Sequence, residues 1–75
     1  MNRLKIVLDT ATDITEFVGI ATTITEPVYL EDGNGLVINA KSLMGVMYGK
    51  TEFVNLWVKS DYENLSTKFR KFMID

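Results

Sequence analysis

The stretch Asp32-Gly33-Asn34-Gly35 constrains this chain more than any other. Asp-Gly and Asn-Gly both supply residues that tolerate positive φ, and here they lie between two β-type runs, VYLE and LVINA. That pattern predicts a hairpin, with strands near 27–31 and 36–40. A hairpin makes its two strands antiparallel, so the other segments are read for elements that can extend such a sheet and cover one of its faces.

Two further segments alternate in the period of a strand. In LKIVLD (4–9), Leu4, Ile6 and Leu8 can face a core while Lys5 points outward. In EFVNLWVKS (52–60), Val54, Leu56 and Val58 share one face and Phe53, Asn55 and Trp57 the other. Between these, the period changes. Over 10–24, Ile14, Phe17, Val18, Ala21 and Ile24 fall on one helical stripe. Thr10 with Asp13 resembles a capping box, Thr12 is a rival cap, and Pro27 is the expected stop. Over 42–48, Ser42 is a good N-cap and Gly49 suits the left-handed position after a helix. Gly45, in the middle, costs about 1 kcal/mol relative to alanine and needs a packing or contact reason. At the C-terminal end, Ser60 with Glu63 reads as a capping box for a helix whose stripe is Tyr62, Leu65, Phe69, Phe72 and Met73. Lys68, Arg70 and Lys71 complement that helix's dipole.

The order is β-α-β-β-α-β-α. It predicts an α+β fold: one domain over 1–75, with a four-stranded antiparallel sheet carrying three helices on one face. The composition excludes several chemistries. There is no cysteine and no histidine, so disulfides, thiolate metal sites and the commonest acid–base catalyst are absent. The net charge of −2 does not recommend nucleic acid. No apolar run is long enough to span a bilayer, and MNRLKIVLDT is a strand pattern rather than a signal peptide. The expectation is a cytoplasmic domain without cofactor, metal or membrane partner.

The stretch Lys41-Ser42-Leu43-Met44-Gly45-Val46-Met47, placed after a hairpin, resembles the segment around the regulatory serine of HPr, the phosphocarrier of the bacterial sugar phosphotransferase system. Members from low-GC Gram-positive bacteria typically carry Lys-Ser-Ile-Met-Gly-Val-Met there. The resemblance in element order covers nearly the whole chain; that in residues is concentrated in 38–48. It implies an HPr-like open-faced β-sandwich with strand order 1-4-2-3, against a ferredoxin-like 4-1-3-2 as the rival. The departure is equally informative. HPr proteins carry a Gly-Ile-His-Ala-Arg-Pro-Ala type motif between the first strand and first helix, whose histidine accepts the phosphoryl group. This chain has LDTATDITEF, with no histidine, arginine or proline in it. Phosphohistidine transfer is carried over to no position. The family also has histidine-less members that keep the serine and act in carbon catabolite regulation, and this chain looks like an extreme case of them.

The resemblance therefore implies no catalytic residue and no enzyme. It implies regulatory phosphorylation on Ser42, alongside that residue's ordinary role as a cap. It implies partner binding by Lys41, Leu43, Met44, Gly45, Met47 and Tyr48, with Val46 in the core. Methionine suits such a surface because it is flexible and polarisable. The expected partners are proteins, an HPr-kinase-like enzyme or a transcriptional regulator, and the expected state is a monomer. A carrier using a non-histidine acceptor, or an interaction module with no phosphotransferase role, are the alternatives. Asp9, Asp13 and Glu16 read as capping and dipole-complementing carboxylates. Glu31 reads as a solvated strand end and Asp32 as a turn residue. Phe53 and Trp57 read as an aromatic pair on the sheet's open face, either a second interface or a cross-strand contact.

Overall fold

A computed structural model of the chain describes residues 2–74. Strand β1 (Asn2–Ile6) leads into helix α1 (Ala11–Thr22); β2 (Val28–Glu31) and β3 (Val37–Asn39) form the hairpin; α2 (Leu43–Glu52) follows, then β4 (Leu56–Ser60) and a short α3 (Leu65–Lys68). The four strands make one antiparallel sheet in the order β1-β4-β2-β3. The order expected for the open-faced sandwich is thus the one observed, and the 4-1-3-2 arrangement is not.

Strand alternation sends Leu4, Ile6, Leu30, Leu56 and Val58 to the covered face, because the register aligns Leu4 with Val58 and Leu30 with Val58, and Ile6 with Leu56. Phe17, Ala21 and Ile24 from the α1 region, Val46 from α2, and Leu65, Phe69 and Phe72 from the C-terminal region close over them in one cluster. The three phenylalanines interlock: the Phe17 ring lies 5.0 Å from Phe69 and 5.9 Å from Phe72, the latter edge-on.

The hairpin forms as expected, in a wider turn. Gly33 and Gly35 carry φ of 86° and 102°, whereas Asn34 stays at negative φ. The Asp32 carboxylate accepts from the Asn34 and Leu36 N–H groups, at 2.6 and 3.2 Å. Helix α1 stops at Thr22, ahead of Pro27. The hydroxyls of Thr22 and Thr23 donate to the Gly19 and Ile20 carbonyls, taking up acceptors of the last turn.

Four expectations give way. Gly49 does not end α2: it lies buried inside it, and the helix runs on to Glu52. Residues 52 and 53 consequently belong to that helix and its cap, so β4 begins at Leu56. Val54 is then 95% exposed rather than on the core face. Ser60 does not cap a helix. It is the fully buried last residue of β4, and its Oγ donates to the Pro27 carbonyl (2.8 Å) while accepting from the Tyr62 N–H (3.2 Å). A buried hydroxyl takes the nearest backbone partners, and here those join β4 to the start of β2. The single C-terminal helix is two pieces, α3 and a 3-10 turn over Arg70–Phe72. The stripe Leu65, Phe69 and Phe72 is buried all the same. Met73 leaves it to pair opposite Ile6, with Val7 N–H donating to Phe72 O (2.8 Å) and Ile74 N–H to Lys5 O (3.3 Å). The chain thereby covers part of its own β1 edge.

Candidate docking helix and its surroundings

Ser42 has extended backbone angles, φ −98° and ψ 115°, and its Oγ accepts from the Gly45 N–H at 3.2 Å. Val46 N–H donates to the Ser42 carbonyl (2.9 Å), so α2 starts on Ser42 as the local sequence predicts. Lys41 is held from both ends: its N–H donates to Asn39 Oδ1 (3.0 Å) and its Nζ to the Ile24 carbonyl (2.5 Å). That side chain braces the start of α2 against the end of α1.

Gly45 and Gly49 have one explanation. A Cβ on Gly45 would stand 2.6 Å from Ile38 Cγ2, and one on Gly49 3.0 Å from Leu30 Cδ2 and 3.2 Å from Ile38 Cδ1. The two glycines, one turn apart, let α2 lie directly on β2 and β3. The contact reason for Gly45 is therefore within this chain. Val46 is fully buried between them, as expected.

The opposite side of α2 carries Leu43, Met44, Met47 and Tyr48, spaced so that they form one stripe. All four are exposed, Met44 at 82% and Tyr48 at 58%. The stripe carries no charge, and it begins one residue from Ser42. The Tyr48 ring meets Phe53 edge-on at 6.5 Å, which ties one end of the stripe to the core.

The carboxylates near α1 behave as caps. Asp13 accepts from the Asp9 N–H (2.9 Å) and the Thr10 N–H (3.2 Å), and Thr10 Oγ accepts from the Asp13 N–H (3.1 Å). These donors, the Asp9 N–H first and the Thr10 N–H second, hold the Asp13 carboxyl below the usual aspartate range. Glu16 pairs with Lys71. Among the described residues no group of acidic side chains is placed to hold a metal ion.

The open face of the sheet differs from its sequence reading. Phe53 is in the core, so it does not pair with Trp57 on that face. Instead the Arg3 guanidinium lies 4.0 Å above the Trp57 ring, and Lys5 Nζ lies 5.8 Å from it. The hairpin turn folds against the same ring, with a Gly33 Cβ position 3.3 Å from Trp57 Nε1. Glu31 is not a solvated strand end. It is nearly buried, its carboxylate held by Arg3 Nε at 2.6 Å and approached by Lys59 Nζ at 3.9 Å. This network escapes a sequence reading because Arg3 and Glu31 are 28 residues apart and meet only through β4. The available signal was the alternation that puts Arg3 and Lys5 on one face of β1 and Trp57 and Lys59 on one face of β4.

The fold and this helix together define an open-faced α+β sandwich with one uncharged, methionine-bearing helix face. No family model, curated protein or solved structure matches the chain. No helix among the described residues is long and apolar enough to cross a membrane.

Proposed function

We propose that this chain is an HPr-type regulatory protein that docks a protein partner through the outer face of α2, with Ser42 as its phosphorylation site. The observation that carries the reading is the unbroken exposed stripe of Leu43, Met44, Met47 and Tyr48 beside a serine at a helix N-terminus. Contiguous apolar exposure of this kind marks interaction surfaces, and methionine adapts to the shape of a partner. The strand order β1-β4-β2-β3 and the residues Lys41–Met47 support the HPr-type assignment.

In this reading a kinase transfers the γ-phosphoryl of ATP to Ser42 Oγ and releases ADP. The product's charge sits at the N-terminal end of α2, where backbone N–H groups and the helix dipole favour it. The partners are an HPr-kinase-like enzyme or a transcriptional regulator, the setting is the cytoplasm, and the chain acts as a monomer. No phosphohistidine step belongs to it, since the chain has no histidine.

The test has two arms. An HPr-kinase-type enzyme with ATP is expected to add one phosphate, seen by intact mass, and Ser42→Ala to abolish it while remaining folded. A purified regulator that binds phosphorylated HPr is expected to bind the phosphorylated chain and to lose it on combined Met44→Ala and Met47→Ala substitution. Modification that survives in Ser42→Ala, or binding indifferent to both methionines, overturns the reading. Phosphoenolpyruvate with enzyme I and magnesium is expected to leave the chain unmodified.

A further inference from the structure

The hairpin between β2 and β3 carries a reactive dipeptide, Asn34-Gly35, at its tip. An asparagine side-chain carbonyl lies within ring-closing reach of the next residue's backbone nitrogen. A following glycine hinders that attack least, because it has no Cβ. In a folded chain the ring closes only where both groups are accessible and neither is engaged elsewhere. Both conditions hold here. Asn34 and Gly35 are exposed. Among the described residues, the Asn34 side-chain amide has no hydrogen-bond partner, and neither has the Gly35 N–H. Nothing stands within 4 Å of a Cβ position on Gly35.

The other asparagines are placed differently. Asn2 Nδ2 donates to the Tyr62 carbonyl. Asn39 Oδ1 accepts from the Lys41 N–H, and the nitrogen that would attack it, that of Ala40, donates to the Val28 carbonyl. Asn55 and Asn64 are each followed by leucine, whose side chain crowds the approach. Asp32-Gly33 shares the spacing but not the reactivity. An ionised carboxylate is a poor electrophile, and this one is held by the Asn34 and Leu36 N–H groups.

We propose that Asn34 is a site of spontaneous deamidation, which makes the hairpin tip more anionic and loosens it from Trp57. The Gly35 nitrogen bonds to Asn34 Cγ and the Cγ–Nδ2 bond breaks. Nδ2 leaves as ammonia with the proton of the Gly35 N–H. The cyclic imide then takes up water. Opening at Cγ gives aspartate; opening at the main-chain carbonyl carbon gives isoaspartate, whose backbone runs through the former side chain. Either product adds a carboxylate close to that of Asp32, and like charges repel. Isoaspartate also lengthens the backbone between residues 34 and 36, whose N–H groups share Asp32 Oδ1 at 2.6 and 3.2 Å. The same stretch closes on the Asp32 N–H bond to Leu36 O, at 3.2 Å. The turn rests on Trp57 through Gly33, whose Cβ position is 3.3 Å from the indole Nε1, so release of the Asp32 grip reaches that ring. The site is independent of Ser42 and of the exposed stripe on α2.

The experiment ages the isotope-labelled full chain in neutral and in mildly alkaline buffer. Samples are taken over time for peptide mapping by mass spectrometry and for amide and indole resonances. Amide-to-acid conversion is expected at Asn34 several-fold faster than at Asn2, Asn39, Asn55 or Asn64. It is expected to run faster in the alkaline buffer, because the attacking nitrogen must lose its proton, and to give a product that an isoaspartyl-specific methyltransferase accepts. A second set of Leu36 N–H and Trp57 Nε1–H resonances should grow in step with the isoaspartyl fraction. Asn34→Gln keeps the amide but would have to close a larger ring, and is expected to stay unmodified with a single set. Freshly prepared Asn34→Asp has the charge without the longer backbone, and is expected to keep the Leu36 bond. An intact Asn34, or conversion no faster there than at the other asparagines, would overturn the site. Leu36 and Trp57 resonances unchanged in the converted chain would overturn the loosening.

Discussion

Helices α1 and α2 begin on the same kind of residue and leave their N-termini in different electrostatic states. At α1, Thr10 caps through its hydroxyl, and the Asp13 carboxylate answers the Asp9 and Thr10 N–H groups. At α2, Ser42 caps alone, the first turn holds no acid, and Lys41 precedes it. A helix N-terminus carries unpaired N–H groups and a partial positive charge. The first helix has satisfied that end with its own carboxylate; the second has met it with a neutral hydroxyl. The start of α1 thus holds a fixed negative charge, while the start of α2 is open to one.

The two helices also differ in how they use glycine, and this produces the largest expected effect. Gly45→Val should destabilise the fold by roughly 1–3 kcal/mol in urea unfolding, because its Cβ would meet a stiff Ile38 methyl. Gly19, exposed in α1, has nothing within 4 Å of its Cβ position. There Gly19→Ala should stabilise by about 0.5–1 kcal/mol through helix propensity alone. Equal signs for the two substitutions would show that α2 does not rest on β3 as described.

Ser42→Ala and Thr10→Ala should each cost about 1 kcal/mol, the usual worth of a cap. Charge should then separate the two ends. Ser42→Asp is expected to gain about 0.3–1 kcal/mol at neutral pH from the dipole. Thr10→Asp is expected to gain nothing, because Asp13 already occupies that field. A matching gain at both positions would erase the contrast.

Acid should remove the contrast from the other side. The folded-state pKa of Asp13 is depressed, by the Asp9 N–H first and the Thr10 N–H second. Its contribution is complete above the ordinary aspartate range and is lost as pH falls from that range toward the depressed value. Thermal melts over that window should show wild type losing more stability than Asp13→Asn, which keeps no titrating group there. Identical pH profiles would remove Asp13 from the cap. The smallest effect is expected on the exposed stripe: Met44→Ala and Met47→Ala should each change stability by less than about 0.5 kcal/mol. A loss of several kcal/mol, as for buried methionine, would mean that the stripe is core.

Both caps could be read from the chain because each is closed by a partner three residues on: Thr10 with Asp13, Ser42 with Gly45. The same holds for the Asp32 turn and the helical stripe of α1. Gly49 was misread because a helix-ending glycine and a glycine packed under a helix look alike until Leu30 and Ile38 are seen beside it. Phe53 and Val54 followed that error, since a longer α2 starts β4 later. The exposed side of α2 came with the family resemblance, as the alternative of simple burial was equally open to these four apolar residues.

What the sequence determined by itself is local: where turns and caps fall, which stripes are apolar, and that no histidine is present for phosphoryl transfer. These follow from backbone geometry and hydrogen bonds within a few residues. Tertiary structure alone decided that Arg3 reaches Glu31, that Ser60 bonds Pro27 rather than capping a helix, and that Met73 pairs with Ile6. It also decided which side of α2 faces water. Each of these depends on strand register and on how closely α2 can approach the sheet, quantities set by the joint packing of segments tens of residues apart.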